Sequence, residues 1–262
     1  MKKKPLVSVI TITYQAQDVL IRTLESVLCQ TYLNIEYILV DGDSKDHTVS
    51  IIKSYENQFR SRNMSFRWIS EPDKGIYDAM NKGIKMSNGE YLLFMNAGDK
   101  LSSEDCLELI FQGLNGGNSS TDLPDFIYGE TKIVDEMGNI MGDRRLKSPE
   151  VLTWKNFKMG MLVCHQSMLV KKSIAPFYDL EYRYSSDFDW TIRCLKNSKI
   201  IHNTHLVLSH FLDGGVSKQK MRASLKERFR IMAKNYGWIS TFFRHLWFVC
   251  RAIWFKVLHG WI

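Results

Sequence analysis

The chain has 262 residues, 45% of them hydrophobic and 12% aromatic, enough to bury a large core and too apolar for a disordered polypeptide. Its formal charge is +7, yet residues 218–262 hold ten Lys/Arg against one acid, Glu227, so the basic character belongs to the C-terminal segment alone. Five scattered cysteines (Cys29, Cys106, Cys164, Cys194, Cys250), odd in number and without a CxxC pair, argue against a disulfide framework or zinc site and fit reduced thiols in a cytosolic compartment.

The opening "MKKKPLVSVITITY" is basic and then apolar, but Ser and Thr interrupt the run and no small-residue cleavage site follows. It is expected to be a first strand, not a signal peptide. Further apolar, β-branched runs at Ile35–Val40, Phe66–Ile69 and Tyr91–Met95 predict strands. Between them, Leu20, Leu24, Val27 and Leu28 share one helical face, as do Thr48, Ile52, Tyr55 and Phe59, and then Ile76, Met80 and Ile84. Strands alternating with helices predict right-handed βαβ units and a largely parallel sheet, an α/β fold. Such sheets bind ligands beyond the carboxyl ends of their strands. Here those ends are Tyr14, Asp41-Gly42-Asp43 and Asn96 to Asp99. "NGGNSSTDLPD" at 115–125 is a loop by composition, followed by an expected strand at Phe126–Tyr128 and a hairpin around Met137-Gly138-Asn139. A soft domain boundary is expected beyond Gly214-Gly215, dividing 1–217 from 218–262.

"ILVDGDSKDHT" places two carboxylates, Asp41 and Asp43, just past a buried strand. A phosphatase of the haloacid dehalogenase kind would want Thr or Val where Lys45 stands. A calcium loop would need an oxygen ligand at Lys45 and Glu at Ile52. A nucleotide contact suits both, with Asp41 accepting from a base N–H and Asp43 near the ribose. A plain strand-to-helix turn with Asp46 as its cap accounts for Asp41 equally well. "SEPDKGIYDAMNKG" opens a helix with Asp73, Lys74 and Gly75, a setting that suits an anion such as a diphosphate. "YRYSSDFDWTIRCL" places Asp187 and Asp189 two apart on a helix and so on different faces; at most one serves a site. His165-Gln166 follows an apolar stretch, where a single His is more often structural than catalytic. Neither GxGxxG nor GxxxxGK[ST] is present, against a dinucleotide fingerprint or a P-loop.

Taken in order, these segments resemble family 2 glycosyltransferases of the GT-A fold over roughly residues 5–217. "VSVITITYQAQDVLIRTLESVLCQTYLNIEYILVDGDSKDHT" is similar to that family's first two strands and the helix between them. "SEPDKGIYDAMNKGI", His165-Gln166 and "GGVS" at 214–217 resemble its O-antigen and capsule branch. The resemblance implies transfer of a sugar from a nucleotide-diphosphate sugar with inversion, a donor half at about 1–100 and an acceptor half at about 101–217. It implies a nucleoside pocket lined by Thr11, Tyr14, Asp41, Asp43, Asp73 and Gly75, and Asp187 as the base. "NAGD" stands where the family often has Asp-x-Asp-Asp for Mg²⁺ or Mn²⁺, so Asn96 is expected to face the donor. Asp99 would be the one remaining carboxylate on a cation brought by the donor diphosphate, with Ala97 and Gly98 leaving room for that donor. His165, Gln166 and Asp189 are expected on the acceptor side. The alternatives at this point are a non-catalytic nucleotide-sugar binding subunit and the phosphatase.

The C-terminal segment predicts two amphipathic helices. In 218–235, Met221, Leu225, Phe229 and Met232 share a face among seven basic residues. In 238–262, at ~100° per residue, Ser240, Thr241, Arg244, His245, Arg251, Lys256 and His259 fall within about 160° and most of the remaining circle is apolar. Arg244, Arg251 and Lys256 divide the run too often for a membrane span. An interfacial helix is expected, its basic face toward anionic headgroups. Packing on the catalytic domain or a dimer seam is the competing expectation. Nucleic-acid binding is not expected, because the aromatic face is too continuous. A membrane-side position would suit an acceptor on a polyprenyl-diphosphate carrier, at the cytoplasmic face.

Overall fold

A computed structural model of the chain describes residues 4–116, 122–214 and 220–259. Four runs of the N-terminal half form strands β1 (Val7–Thr13), β2 (Ile35–Asp41), β3 (Ser65–Ser70) and β4 (Tyr91–Phe94), paired in parallel in the order β3-β2-β1-β4. Every residue of β1, β2 and β4 is buried. Their near-continuous apolar sequence follows from that, since a parallel sheet covered by helices on both faces has no polar side. Helices α1 (Leu20–Leu28), α2 (Thr48–Ser61) and α3 (Ile76–Met86) make the crossovers. In α2, the buried residues are Thr48, Ile52, Tyr55 and Phe59, the face expected from spacing. In α3 the buried face includes Tyr77, Met80 and Ile84, whereas Ile76 is exposed.

The sheet continues past β4 with changed polarity. β8 (Met168–Lys171) runs antiparallel to β4, and β6 (Phe126–Val134) antiparallel to β8. β9 (Ile201–Leu212) is parallel to β6, and the short β5 (Lys100–Leu101) closes that edge against β9. β7 (Ile140–Asp143) pairs with β6 through the expected hairpin, whose turn residue Gly138 has φ +87°. Among the described residues the sheet is thus nine-stranded and mixed, parallel only in its β3-β2-β1-β4 half and at β6–β9.

Side-chain alternation sends Val7, Val9, Tyr37 and Leu39 to one core, under α1, α2 and α4 (Cys106–Gly116). Ile10, Ile12, Ile38 and Val40 enter the other, with α3 and α5 (Ser186–Asn197).

The C-terminal segment does not stand apart from this body. Helix α6 (Met221–Tyr236) buries Ser224, Ile231, Met232 and Ala233, and Ile231 and Met232 share a core with Phe188 and Trp190. The docking face is not the one expected: Met221 and Leu225 are exposed, because polar contacts choose the face. Ser224 and Ser185 hydroxyls lie 2.8 Å apart, and the Glu227 carboxylate accepts the Arg183 and Tyr184 N–H groups at 2.9 and 2.8 Å. In α7 (Trp238–His259) the orientation also reverses the expectation. Thr241 is buried, Arg244 donates to Met159 Sδ and His245 packs on Phe229, so the polar side faces the protein. Trp238, Ile239, Phe242, Phe243, Leu246 and Trp247, spaced along one stripe, are all exposed. Several basic positions of the expected polar arc (Arg251, Lys256, His259) lie where side chains are not described, and Trp261 and the 215–219 boundary region, including most of "GGVS", lie outside the described residues. No described helix is long and apolar enough to cross a membrane.

Candidate active site

The carboxyl ends of β1, β2 and β3 converge. A Cβ at Gly42 would stand 2.6 Å from Asp73 Oδ2 and 3.3 Å from the Tyr14 ring, so the glycine marks where these two side chains close on the β2 turn. Tyr14 is 62% exposed and Asp73 half-buried; both can meet a ligand. Asp73 Oδ1 accepts the Gly75 N–H at 2.7 Å, and Gly75, with φ +117° and open space around its Cα, starts α3. That end of α3 presents backbone N–H groups and Lys74 to any anion held there.

Asp41 does not reach this opening. It is fully buried, and its carboxylate accepts the Ser44 N–H (2.9 Å), the Ser44 hydroxyl (2.5 Å) and the Ser70 hydroxyl (2.6 Å). Its oxygens hold the β2–α2 turn and the end of β3. Asp43, half-exposed at φ +65°, pairs with Lys45 at 2.7 Å. Asp46 contributes as a cap from one position further out, accepting the Thr48 N–H at 3.0 Å. Thr11 is likewise internal: its hydroxyl donates to Met95 O at 2.6 Å and lies 3.0 Å from the Tyr37 hydroxyl. The threonine that ends β1 is Thr13, whose buried hydroxyl has no partner among the described residues. Sequence reading passed over it, although it directly precedes Tyr14.

Asn96 Oδ1 is the second buried oxygen without a described partner, at the end of the neighbouring β4. Two orphaned polar atoms at adjacent carboxyl strand ends are what a ligand-binding crevice leaves behind when described alone. Asp99 departs from the expected metal-ligand role. It is 4% exposed; Oδ2 accepts the Gln166 amide at 2.6 Å and Oδ1 the Leu212 N–H at 2.9 Å. Burial raises its carboxyl to about 7 against the pull of those two bonds and Arg22. Asp99 therefore braces β4 against β9. The space at Gly98 is also taken, since a Cβ there would meet Leu212 Cδ2 at 2.9 Å, and φ is +96°. A side chain at position 98 would be both strained and blocked, which accounts for the glycine without a donor beside it.

The described residues offer no cluster of three metal-ligating side chains. Asn96 Oδ1 is one hard oxygen donor at this corner, suited to a cation whose other ligands are phosphate oxygens and water but not to a free ion.

The expected acceptor-side residues are interior. His165 and Gln166 lie on a 3-10 turn (His165–Ser167) and are 5% and 4% exposed. His165 Nε2 and the Tyr178 hydroxyl are 2.6 Å apart, and burial lowers the imidazole to about 4, so it is neutral near pH 7. Asp189 is 2% exposed and bonded to Arg193 Nε at 2.6 Å. Asp187, on the other face of α5, is half-buried and accepts the Tyr77 hydroxyl at 3.0 Å. One contact chain joins the two carboxylates: Asp99 to Gln166, then His165 to Tyr178, Tyr178 stacked on Tyr77 at 5.5 Å, and Tyr77 to Asp187.

The family model described as "Glycosyl transferase family 2" matches residues 8–175, more than half the chain. A "PGL/p-HBAD biosynthesis glycosyltransferase" of Mycobacterium tuberculosis is 30% identical over 219 residues, covering 81% of this chain and 79% of its own. The "Putative teichuronic acid biosynthesis glycosyltransferase TuaG" of Bacillus subtilis is 26% identical, covering 86% and 87%. Among solved structures, S. aureus TarS in complex with UDP superposes with a TM-score of 0.66 at 19% identity, over 87% of this chain and 64% of that one. The Pyrobaculum calidifontis mannosyltransferase PcManGT, in complex with GDP-Man and Mn²⁺, does so at 0.61 and 13% identity, over 99% and 77%. These likenesses agree with the α/β architecture of the GT-A kind built above. The chain belongs to glycosyl transferase family 2 and is a glycosyltransferase.

Proposed function

We propose that this enzyme transfers a sugar, with inversion, from a nucleotide-diphosphate sugar to a hydroxyl of a growing bacterial surface polysaccharide or glycolipid carried on a lipid diphosphate. The carrying observation is that the opening formed by Tyr14, Gly42 and Asp73 and the carboxylate of Asp187 are tied to one helix, α3, through Asp73–Gly75 at its start and Tyr77 in its first turn. The relatives named for glycolipid and teichuronic acid synthesis support the acceptor class. The neighbours solved with UDP-GlcNAc and with GDP-Man support the donor class.

In this reading Tyr14 and Asp73 hold the nucleoside, Asp43 stands at the ribose side, and the start of α3 with Lys74 faces the diphosphate. The acceptor O–H bond breaks as Asp187 takes the proton. The acceptor oxygen bonds to the anomeric carbon while the bond to the diphosphate oxygen breaks through an oxocarbenium-like state, as in glycoside cleavage. Mg²⁺ or Mn²⁺ held by the diphosphate and Asn96 Oδ1 would neutralise leaving-group charge.

Screening nucleotide-sugars by thermal shift tests this. The true donor at 100 times its Kd should stabilise by about 2.7 kcal/mol. Mn²⁺ alone should leave the Tm unchanged and should add to the shift only with donor present. A Tm rise with Mn²⁺ alone would contradict the diphosphate-borne cation, and the absence of a shift with any nucleotide-sugar would remove the donor assignment. Gly42→Ala should raise the donor Kd by about tenfold or more, because its Cβ collides with Asp73 while its backbone tolerates alanine. Calorimetric titration reads that change directly.

The exposed stripe of α7 is assigned to a membrane surface, with the exposed Arg222, Lys226 and Arg230 of α6 contributing positive charge, and a peripheral position on the cytoplasmic face next to a lipid-linked acceptor is part of this proposal.

A further inference from the structure

We infer that Tyr77 is a positioning residue for Asp187, fixing the orientation of its carboxylate for proton acceptance. The inference rests on Asp187 being the base and adds the device that holds it.

The tyrosine is 7% exposed and its ring cannot wander. It stacks on Tyr178 at 5.5 Å and 23°, and Tyr178 stacks on Trp190 at 5.0 Å and 13°. One turn along α3, Asn81 bonds the backbone of Tyr178 twice, donating from Nδ2 to its carbonyl at 3.0 Å and accepting its N–H at 2.7 Å. Residues 77 and 81 share a helix face, so the same packing that fastens α3 to residue 178 aims the phenol at Asp187 Oδ1, 3.0 Å away.

The groups facing Asp187 from each packed element are few. From α3 comes Tyr77, whose pKa burial and Asp187 raise well above the ordinary value, so that it keeps its proton. From the 3-10 turn comes His165, neutral and engaged with Tyr178. Glu227 of α6, a like charge that reaches Tyr77, is held by the Arg183 and Tyr184 N–H groups. Among the described residues, Tyr77 is the one of these that hydrogen-bonds the carboxylate directly. Because Asp73 and Gly75 stand at the start of the same helix, a donor that settles against them also settles the phenol that addresses the base.

The test is Tyr77→Phe, which keeps the stack and removes one hydroxyl. We expect kcat to fall about tenfold, the size of one hydrogen bond to a charged group, with the donor KM staying within about twofold. In the Asp187→Asn background, Tyr77→Phe should cost less than about twofold further, because the two residues act as one unit. A donor KM that rises in step with the fall in kcat, or an equal loss in both backgrounds, would overturn the inference while leaving Asp187 as base. Near-normal turnover of Asp187→Asn alone would remove the base and the inference together. If Tyr77→Phe folds poorly, Asn81→Ala, which loosens the same stack, should lower kcat by a smaller factor with the donor KM unchanged, and should leave kcat unchanged if the inference fails.

Discussion

Asp187→Asn is expected to lower kcat by roughly 10²-fold or more while donor affinity stays within a few-fold. The substitution is clean on geometric grounds. Asparagine keeps Oδ1, so the Tyr77 hydroxyl retains its acceptor, and the start of α5 keeps the bond from Phe188 N–H to the Ser185 carbonyl. What it loses is the ability to accept a proton, since an amide oxygen is a poor base. Tyr14, Gly42 and Asp73, proposed to meet the donor, cluster at the carboxyl end of β2 and the start of α3 and are untouched. Steady-state kinetics with the donor found in the thermal screen read both quantities. Turnover within about threefold of wild type would exclude Asp187 as the base. A matched loss in donor affinity would instead make it a binding residue. The control is Asp189→Asn on the opposite face, where the Arg193 partner is lost; that change should lower stability more than chemistry.

The parallel half of the sheet was legible because β1, β2 and β4 are buried on both faces and read as continuous apolar runs. The second half was not. β9 reads "IHNTHLVLSHFL", half-buried, with His205 at φ +57° and register shifts against β6, so neither periodicity survives along it. Its partners also lie far away in sequence: the Leu212 N–H that meets Asp99 is 113 residues on. Nothing local to "NAGD" announces that its aspartate will be sealed by a distant strand, so a carboxylate at a strand end reads as a ligand when it is a brace. Asp41 misleads in the same way, because Ser44 and Ser70 fill its lone pairs only after β2 and β3 pair. Thr11 and Thr13 point to the same face of β1; what separates core from site is where the strand stops, two residues later. By contrast, the separation of Asp187 from Asp189 followed from helix geometry and is what the structure has.

The C-terminal helices carry the other large expected effect, and their two parts should behave differently. Removing residues 238–262 should leave the fold standing, since α6 keeps Ile231 and Met232 in the core and Glu227 on the loop before α5. Removing everything from 220 onward should not. Truncating one buried Ile or Met alone costs about 2–5 kcal/mol, against a typical total stability of about 5–15 kcal/mol. The shorter deletion then isolates the membrane question. The wild-type protein should sediment with vesicles containing anionic lipid, and the 238–262 deletion should stay in the supernatant. Because α7 turns its apolar stripe outward and its Thr241–Arg244–His245 side inward, insertion rather than headgroup charge should dominate. Burying one large apolar side chain contributes about 1.5–3 kcal/mol, so the double change Phe242→Glu and Phe243→Glu should weaken partitioning by at least about 10²-fold, with activity on a water-soluble acceptor retained. Raised salt should weaken binding less than that substitution does, since screening acts on basic side chains such as Arg222, Lys226 and Arg230 and not on the apolar stripe. Equal sedimentation of the deletion would place the membrane contact elsewhere. A wild-type dimer in solution, with no sedimentation and reverting to monomer on the double change, would give the stripe to a second copy of the chain.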